Sequence, residues 1–129
     1  MRCIIMACLA MLISCEAQAD EPAVVLDPTA DAVMCTAYFA DMAAFQLKSG
    51  NIKEYDAFNA KTIMLAPTAA AMDALANHAD MARTLLTVQD LERLMRSAIN
   101  SKQSAKRYTD MFGALCAEID AQMKRTRGD

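Results

Sequence analysis

The chain is poor in the residues that build most known sites. It has no tryptophan, one histidine, three glycines and three prolines in 129 residues. A single histidine, His78, excludes His-His zinc motifs and any di-iron centre made of two Glu-x-x-His units. So few glycines leave no Gly-rich loop to cradle a phosphate, and no Cys-x-x-Cys-His haem attachment occurs. Turn residues are equally scarce, and no segment alternates apolar and polar residues for long enough to form a strand. A basic excess is missing too: 13 Lys+Arg face 16 Asp+Glu, a net charge of −3. That balance argues against a general nucleic-acid binder.

What is present begins with the leader. Arg2 is followed by an uncharged apolar run from Cys3 to Ile13, then by Ala17-Gln18-Ala19 and Asp20-Glu21-Pro22. Positive end, apolar core and small-x-small site occur in the order of a secretory signal peptide. The apolar run is too short for a membrane span, which needs roughly 20 residues. Residues 1–19 are therefore expected to be a signal peptide cleaved between Ala19 and Asp20. That leaves residues 20–129 as one periplasmic or secreted domain. A second parse stays open. Leu12-Ile13-Ser14-Cys15 resembles a lipobox, in which Cys15 becomes a lipid-bearing N-terminus and anchors the protein to the bacterial membrane.

Five cysteines form an odd count, but Cys3, Cys8 and Cys15 belong to the leader. Cys35 and Cys116 remain, and an even pair in an exported protein reads as a disulfide. It closes a loop of roughly 80 residues, for which chain entropy gives ~4.5 kcal/mol.

The rest is helical in pattern. Asp27-Pro28 is a helix start, and Cys35, Tyr38/Phe39, Met42 and Phe45 follow at helical spacing up to Gly50. Asn51 can cap a second helix, whose stripe is Ile52, Tyr55, Phe58/Asn59, Thr62/Ile63 and Leu65/Ala66. Pro67 then either kinks that helix or divides it in two. A third unit covers roughly 81–100 through Leu85, Val88, Leu91, Met95 and Ile99. Thr87 is an alternative start within it, and Glu92 and Arg96 are set for an i,i+4 pair. The last helix begins near Ser101 or Ser104, with Tyr108, Met111/Phe112, Leu115/Cys116, Ile119 and Met123 as its buried face. Gly113 lies one turn before Cys116, where it can bring two helices close. The expected fold is all-α: a small four-helix-type bundle of four or five helices, with its terminal helices linked by the Cys35–Cys116 bond.

Chemistry is harder to find. No Ser-His-Asp or Cys-His signature surrounds His78, and Glu118 and Asp120 point to different helix faces. The reading is of a non-enzyme with no cofactor. Methionine is in excess, and thioethers suit copper(I). His78 and Met81 sit one turn apart as a possible soft-metal pair, although most methionines fall on apolar stripes. Arg93, Arg96, Lys102, Lys106 and Arg107 occur with no acid between them, a candidate patch for an anionic surface.

Cys35-Thr36-Ala37-Tyr38-Phe39 and the segment from Tyr108 to Cys116 resemble a loose group of small exported proteobacterial proteins. These carry one cysteine in an early helix and another in a late, Tyr-rich helix. The resemblance implies a helical secreted domain and no particular activity. A thinner similarity is to periplasmic acid-stress chaperones, also small, helical and two-cysteine. The functional expectation is a non-enzymatic interaction, inhibitor-like or chaperone-like module whose partner is another envelope protein. Membrane contact is expected only through a lipid at Cys15 or the basic patch. The alternative is soft-metal (copper) binding by His78 and methionines.

Overall fold

The computed structural model describes residues 27–128. The expected cleavage site at Ala19 and Asp20 and the alternative lipid site at Cys15 lie outside the described residues. Four helices follow one another: α1 (Pro28–Lys48), α2 (Ile52–Asn77), α3 (Met81–Ala98) and α4 (Lys102–Arg127). The fold is all-α, and no strand occurs among the described residues.

Each helix begins and ends for a local reason. The Asp27 carboxylate accepts from the Ala30 amide at 3.2 Å, with Pro28 in the first turn. Gly50, at φ 83°, supplies the left-handed residue after α1. Asn51 occupies the cap position of α2 but makes no cap bond; its amide donates to Gln46 Oε1 at 2.7 Å instead. Asp80 Oδ1 accepts from the Arg83 amide at 2.8 Å and starts α3. Ser101 and Ser104 cap each other's backbone amides, at 3.1 and 2.9 Å, and start α4.

Two alternatives are resolved. α2 runs unbroken through Pro67, which is exposed. The proline removes the amide that would bond the Ile63 carbonyl, on the exposed side of the helix. α3 also runs through Thr87, whose hydroxyl donates to Arg83 O at 3.1 Å inside the helix.

α1 is the hub. No residue from Asp31 to Gln46 is exposed, because α2, α3 and α4 all pack against α1. α3 and α4 scarcely touch one another. A helix that is apolar all round belongs in a core, and Ala32, Ala37 and Ala43 let its neighbours come close. Cys35 and Cys116, both fully buried, bond α1 to α4 across a Cα–Cα distance of 5.4 Å. Tyr38 packs on Phe112, and Phe39 on Phe58, with ring centroids 6.1 and 6.3 Å apart. Lys61 lies over the Phe39 ring at 5.4 Å. A Cβ on Gly113 would meet Tyr38 Oη at 3.8 Å, an ordinary contact, so glycine is not what sets the α1–α4 spacing.

α2 and α3 are also tied by a polar link. Thr84 Oγ1 donates to Asp73 Oδ2 at 2.7 Å and Asn77 Nδ2 to Asp73 Oδ1 at 2.8 Å. The Thr84 bond, then the Asn77 bond, hold the Asp73 carboxyl below its ordinary range.

Several residues expected in the core lie outside it. Ile52, Ile63, Leu85 and Met111 are 54, 62, 44 and 59 % exposed. The inner line of α2 is Phe58, Thr62, Leu65, Ala69 and Met72, which leaves Ile52 and Ile63 on the opposite side. On α3, Thr84 rather than Leu85 continues the line through Val88 and Met95.

Candidate functional site

Asp41 stands between Ala40 and Met42-Ala43-Ala44 in α1. In a helix with a solvent face, an acid there would point to water. α1 has no such side, and the Asp41 side chain is 0 % exposed. Its Oδ1 accepts from Arg96 of α3, at 3.3 Å from Nε and 3.2 Å from Nη2. The same Nη2 also reaches Glu92 Oε1 at 3.2 Å. Asp41 Oδ2 is buried with no hydrogen-bond partner among the described residues.

Burial pushes the Asp41 carboxyl up to about 7; Arg96 opposes the shift and Glu92 adds to it. The guanidinium 3.2 Å away does not prevent this, because the Arg96 side chain is 61 % exposed and water screens its charge. Near neutral pH, Asp41 can therefore either accept or donate a hydrogen bond at Oδ2. A buried polar atom without a partner costs roughly 1–3 kcal/mol, and native folds seldom keep one without a use.

Asp41 is one of the residues around a cleft of about 440 Å³, although its side chain is closed to solvent. Its walls are Ala44, Phe45, Leu47 and Lys48 from the last turns of α1, with Arg96, Ile99 and Asn100 at the end of α3. The lining mixes apolar and polar residues, and Lys48 is exposed.

A second feature runs along the outside of α2. Ala57, Ala60, Ile63, Met64, Pro67, Ala71, Ala74 and Leu75 are all exposed and recur every three or four residues. The two charged residues inside that span are both engaged elsewhere: Lys61 lies over Phe39 and Phe58, and Asp73 is held by Thr84 and Asn77. The stripe is about 27 Å long at 1.5 Å per residue, and Leu75 at its end is 85 % exposed.

The residues singled out by sequence fare differently. Cys35 and Cys116 are joined as expected. His78 and Met81 are both exposed at the α2–α3 turn. His78 takes the left-handed conformation, φ 56° and ψ 28°, that ends α2, with its amide donating to Ala74 O at 3.1 Å. Met42, Met95 and Met123 are buried, whereas Met64, Met81 and Met111 are exposed, so the thioethers are dispersed. No group of three or more His, Cys, Asp or Glu suited to a metal occurs among the described residues.

The five cations of the proposed patch are split between two helices that scarcely meet. Arg93 and Arg96 are on α3, and Lys102, Lys106 and Arg107 on α4. Arg93 pairs with Asp90 at 3.0 Å, Lys106 with Asp110 at 2.8 Å, and Arg96 with Asp41 and Glu92. Sequence reasoning missed Asp41. The available signal was a carboxylate inside a stretch, Ala32 to Ala44, that otherwise holds no charge.

The architecture defines a class, a disulfide-closed α-helical domain built round a buried first helix. Comparison with protein-family models, curated proteins and solved structures finds no match for the chain.

Proposed function

We propose that this is a non-enzymatic interaction protein of the bacterial envelope, which holds an amphipathic helix of a partner protein against the outer face of α2. The observation that carries this reading is the uncharged, exposed stripe from Ala57 to Leu75. Contiguous apolar surface on a small soluble domain marks a place of contact. Here small alanines alternate with the larger Ile63, Met64 and Leu75, and such a ridged helix face can pack against a partner helix. The leader of residues 1–19 and the Cys35–Cys116 bond support work outside the cytoplasm, since such bonds persist in oxidising compartments.

A photo-crosslinking residue at Met64 or Ala71, in cells, is expected to give one discrete adduct that a probe at Leu86 on α3 does not. An Ile63→Glu, Leu75→Glu variant should melt like the wild type and lose the adduct. Equal adducts from Leu86, or an adduct that survives the charged variant, would refute the reading. An adduct of twice the chain mass would replace the foreign partner with a second copy. Mass spectrometry of the mature N-terminus separates cleavage after Ala19 from acylation at Cys15.

A further inference from the structure

The turn between α1 and α2 carries a surface that docking on the α2 stripe does not use. We propose that this end of the molecule seats on an anionic lipid bilayer, with Leu47 and Ile52 entering the interface and Lys48, Lys53, Lys102 and Lys106 meeting the lipid phosphates.

The turn runs from Ser49 to Asn51 between two apolar side chains, Leu47 at 49 % exposure and Ile52 at 54 %. A lysine follows each of them in the chain, and Lys48 and Lys53 are both exposed. The fold brings further cations to the same end. Lys48 lines one cleft with Arg96 and Asn100 at the end of α3. Ser49 and Asn51 line another with Lys102 and Lys106 at the start of α4. α3 and α4 scarcely meet along their lengths, yet both border this turn. Segments 44–55 and 96–107 build this end, and Glu54 is their single acid. Arg96 is paired with Asp41 and Glu92, and Lys106 with Asp110. Lys48, Lys53 and Lys102 make no ion pair among the described residues and are left for an outside anion.

The other end has the reverse character. Asp27 shares a cleft with Asp73 and Arg83, Asp31 lies in the first turn of α1, and Asp80 starts α3. Lys124 and Arg125, about 33 Å along α4 from Lys102 at 1.5 Å per residue, are paired with Asp120 and Glu118. A chain of net charge −3 is therefore a dipole, which a negative surface turns cation end first. The apolar pair selects a bilayer over a soluble polyanion. Cations are rewarded by either, but Leu47 and Ile52 gain only from an apolar interface they can enter. No described helix is long and apolar enough to cross a membrane, so the contact is peripheral. Each lysine brought to an anionic leaflet strengthens binding about fivefold.

The test is cosedimentation of the oxidised, unacylated chain from Asp20 with vesicles of phosphatidylcholine, alone or with about one third phosphatidylglycerol. Binding should need phosphatidylglycerol and fall steeply as salt rises from about 0.05 M to about 0.5 M. Lys48→Gln, Lys53→Gln and Lys102→Gln together should weaken it on the order of a hundredfold. Leu47→Ser with Ile52→Ser should weaken it about tenfold. Lys124→Gln with Arg125→Gln, at the far end of α4, should leave it unchanged. All these side chains are exposed, and a melting curve checks the fold of each variant. No phosphatidylglycerol-dependent binding would overturn the proposal. So would an equal loss in the Lys124, Arg125 variant. Unchanged vesicle binding in Leu47→Ser, Ile52→Ser, with polyphosphate bound as tightly as the vesicles, would overturn it in favour of a soluble polyanion.

Discussion

Replacing Asp41 by asparagine should stabilise this protein at alkaline pH and do little at acid pH. The side chain keeps its shape and its oxygen toward Arg96, so the change isolates the charge. Asp41 titrates near 7 in the fold against 3.8 for the ordinary carboxyl. The folded state therefore holds the proton more tightly than the unfolded chain, and stability must fall as pH rises from about 4 to about 7. Each pH unit inside that window is worth up to ~1.4 kcal/mol. Between pH 5 and pH 8 the wild type should lose about 2–3 kcal/mol, because only the part of the interval below the folded pKa contributes. For a domain of this size that is a fall in Tm on the order of 10 °C. Circular-dichroism melts of the oxidised protein at pH 5, 6, 7 and 8 would show the slope. Asp41→Asn should be flat over the same range and more stable than the wild type at pH 8. A wild-type Tm that rises with pH, or a variant with the same slope, would refute the account of Asp41. The sign also bears on the expectation of an acid-chaperone role. That role requires acid to loosen the fold, and the buried carboxyl of α1 works in the opposite direction.

Two further outcomes follow from the fold. A Cys35→Ser, Cys116→Ser variant should lose up to ~4.5 kcal/mol, seen as a lower denaturation midpoint; free-thiol titration of the denatured, unreduced protein should find no thiol from this pair. His78→Gly should hold or raise stability, by up to about 1 kcal/mol, because glycine adopts the left-handed conformation without penalty. A clear loss of stability there would mean that the His78 side chain holds the turn, and saturable copper(I) binding abolished by the same change would restore the soft-metal reading.

The helices were legible because their ends carry local chemistry. Asp27-Pro28, Gly50 and Ser101 announce boundaries that neighbouring residues alone decide. The cysteine pair was legible because the expected leader accounts for the other three. Directions were not. α2 is apolar on two sides, so Ile52 and Ile63 looked as inward as Phe58, and only the position of α1 distinguishes them. Leu85 gave way to Thr84 for a similar reason: the Asp73 carboxylate of α2 satisfies the threonine hydroxyl, and sequence spacing does not reveal that partner. Asp41 was invisible because a stripe of apolar residues implies an opposite wet face, and a helix surrounded by three others has none.

The buried first helix has a consequence for how the molecule is made. α1 is synthesised before the three helices that shield it, with nothing yet to cover its apolar circumference. Cys35 emerges with it, and its partner arrives 81 residues later. A chain cut short anywhere in that interval has no Cys116 to bond and leaves α1 uncovered. The closed bond thus acts as a receipt of completion: only a molecule that has delivered its last helix can be sealed.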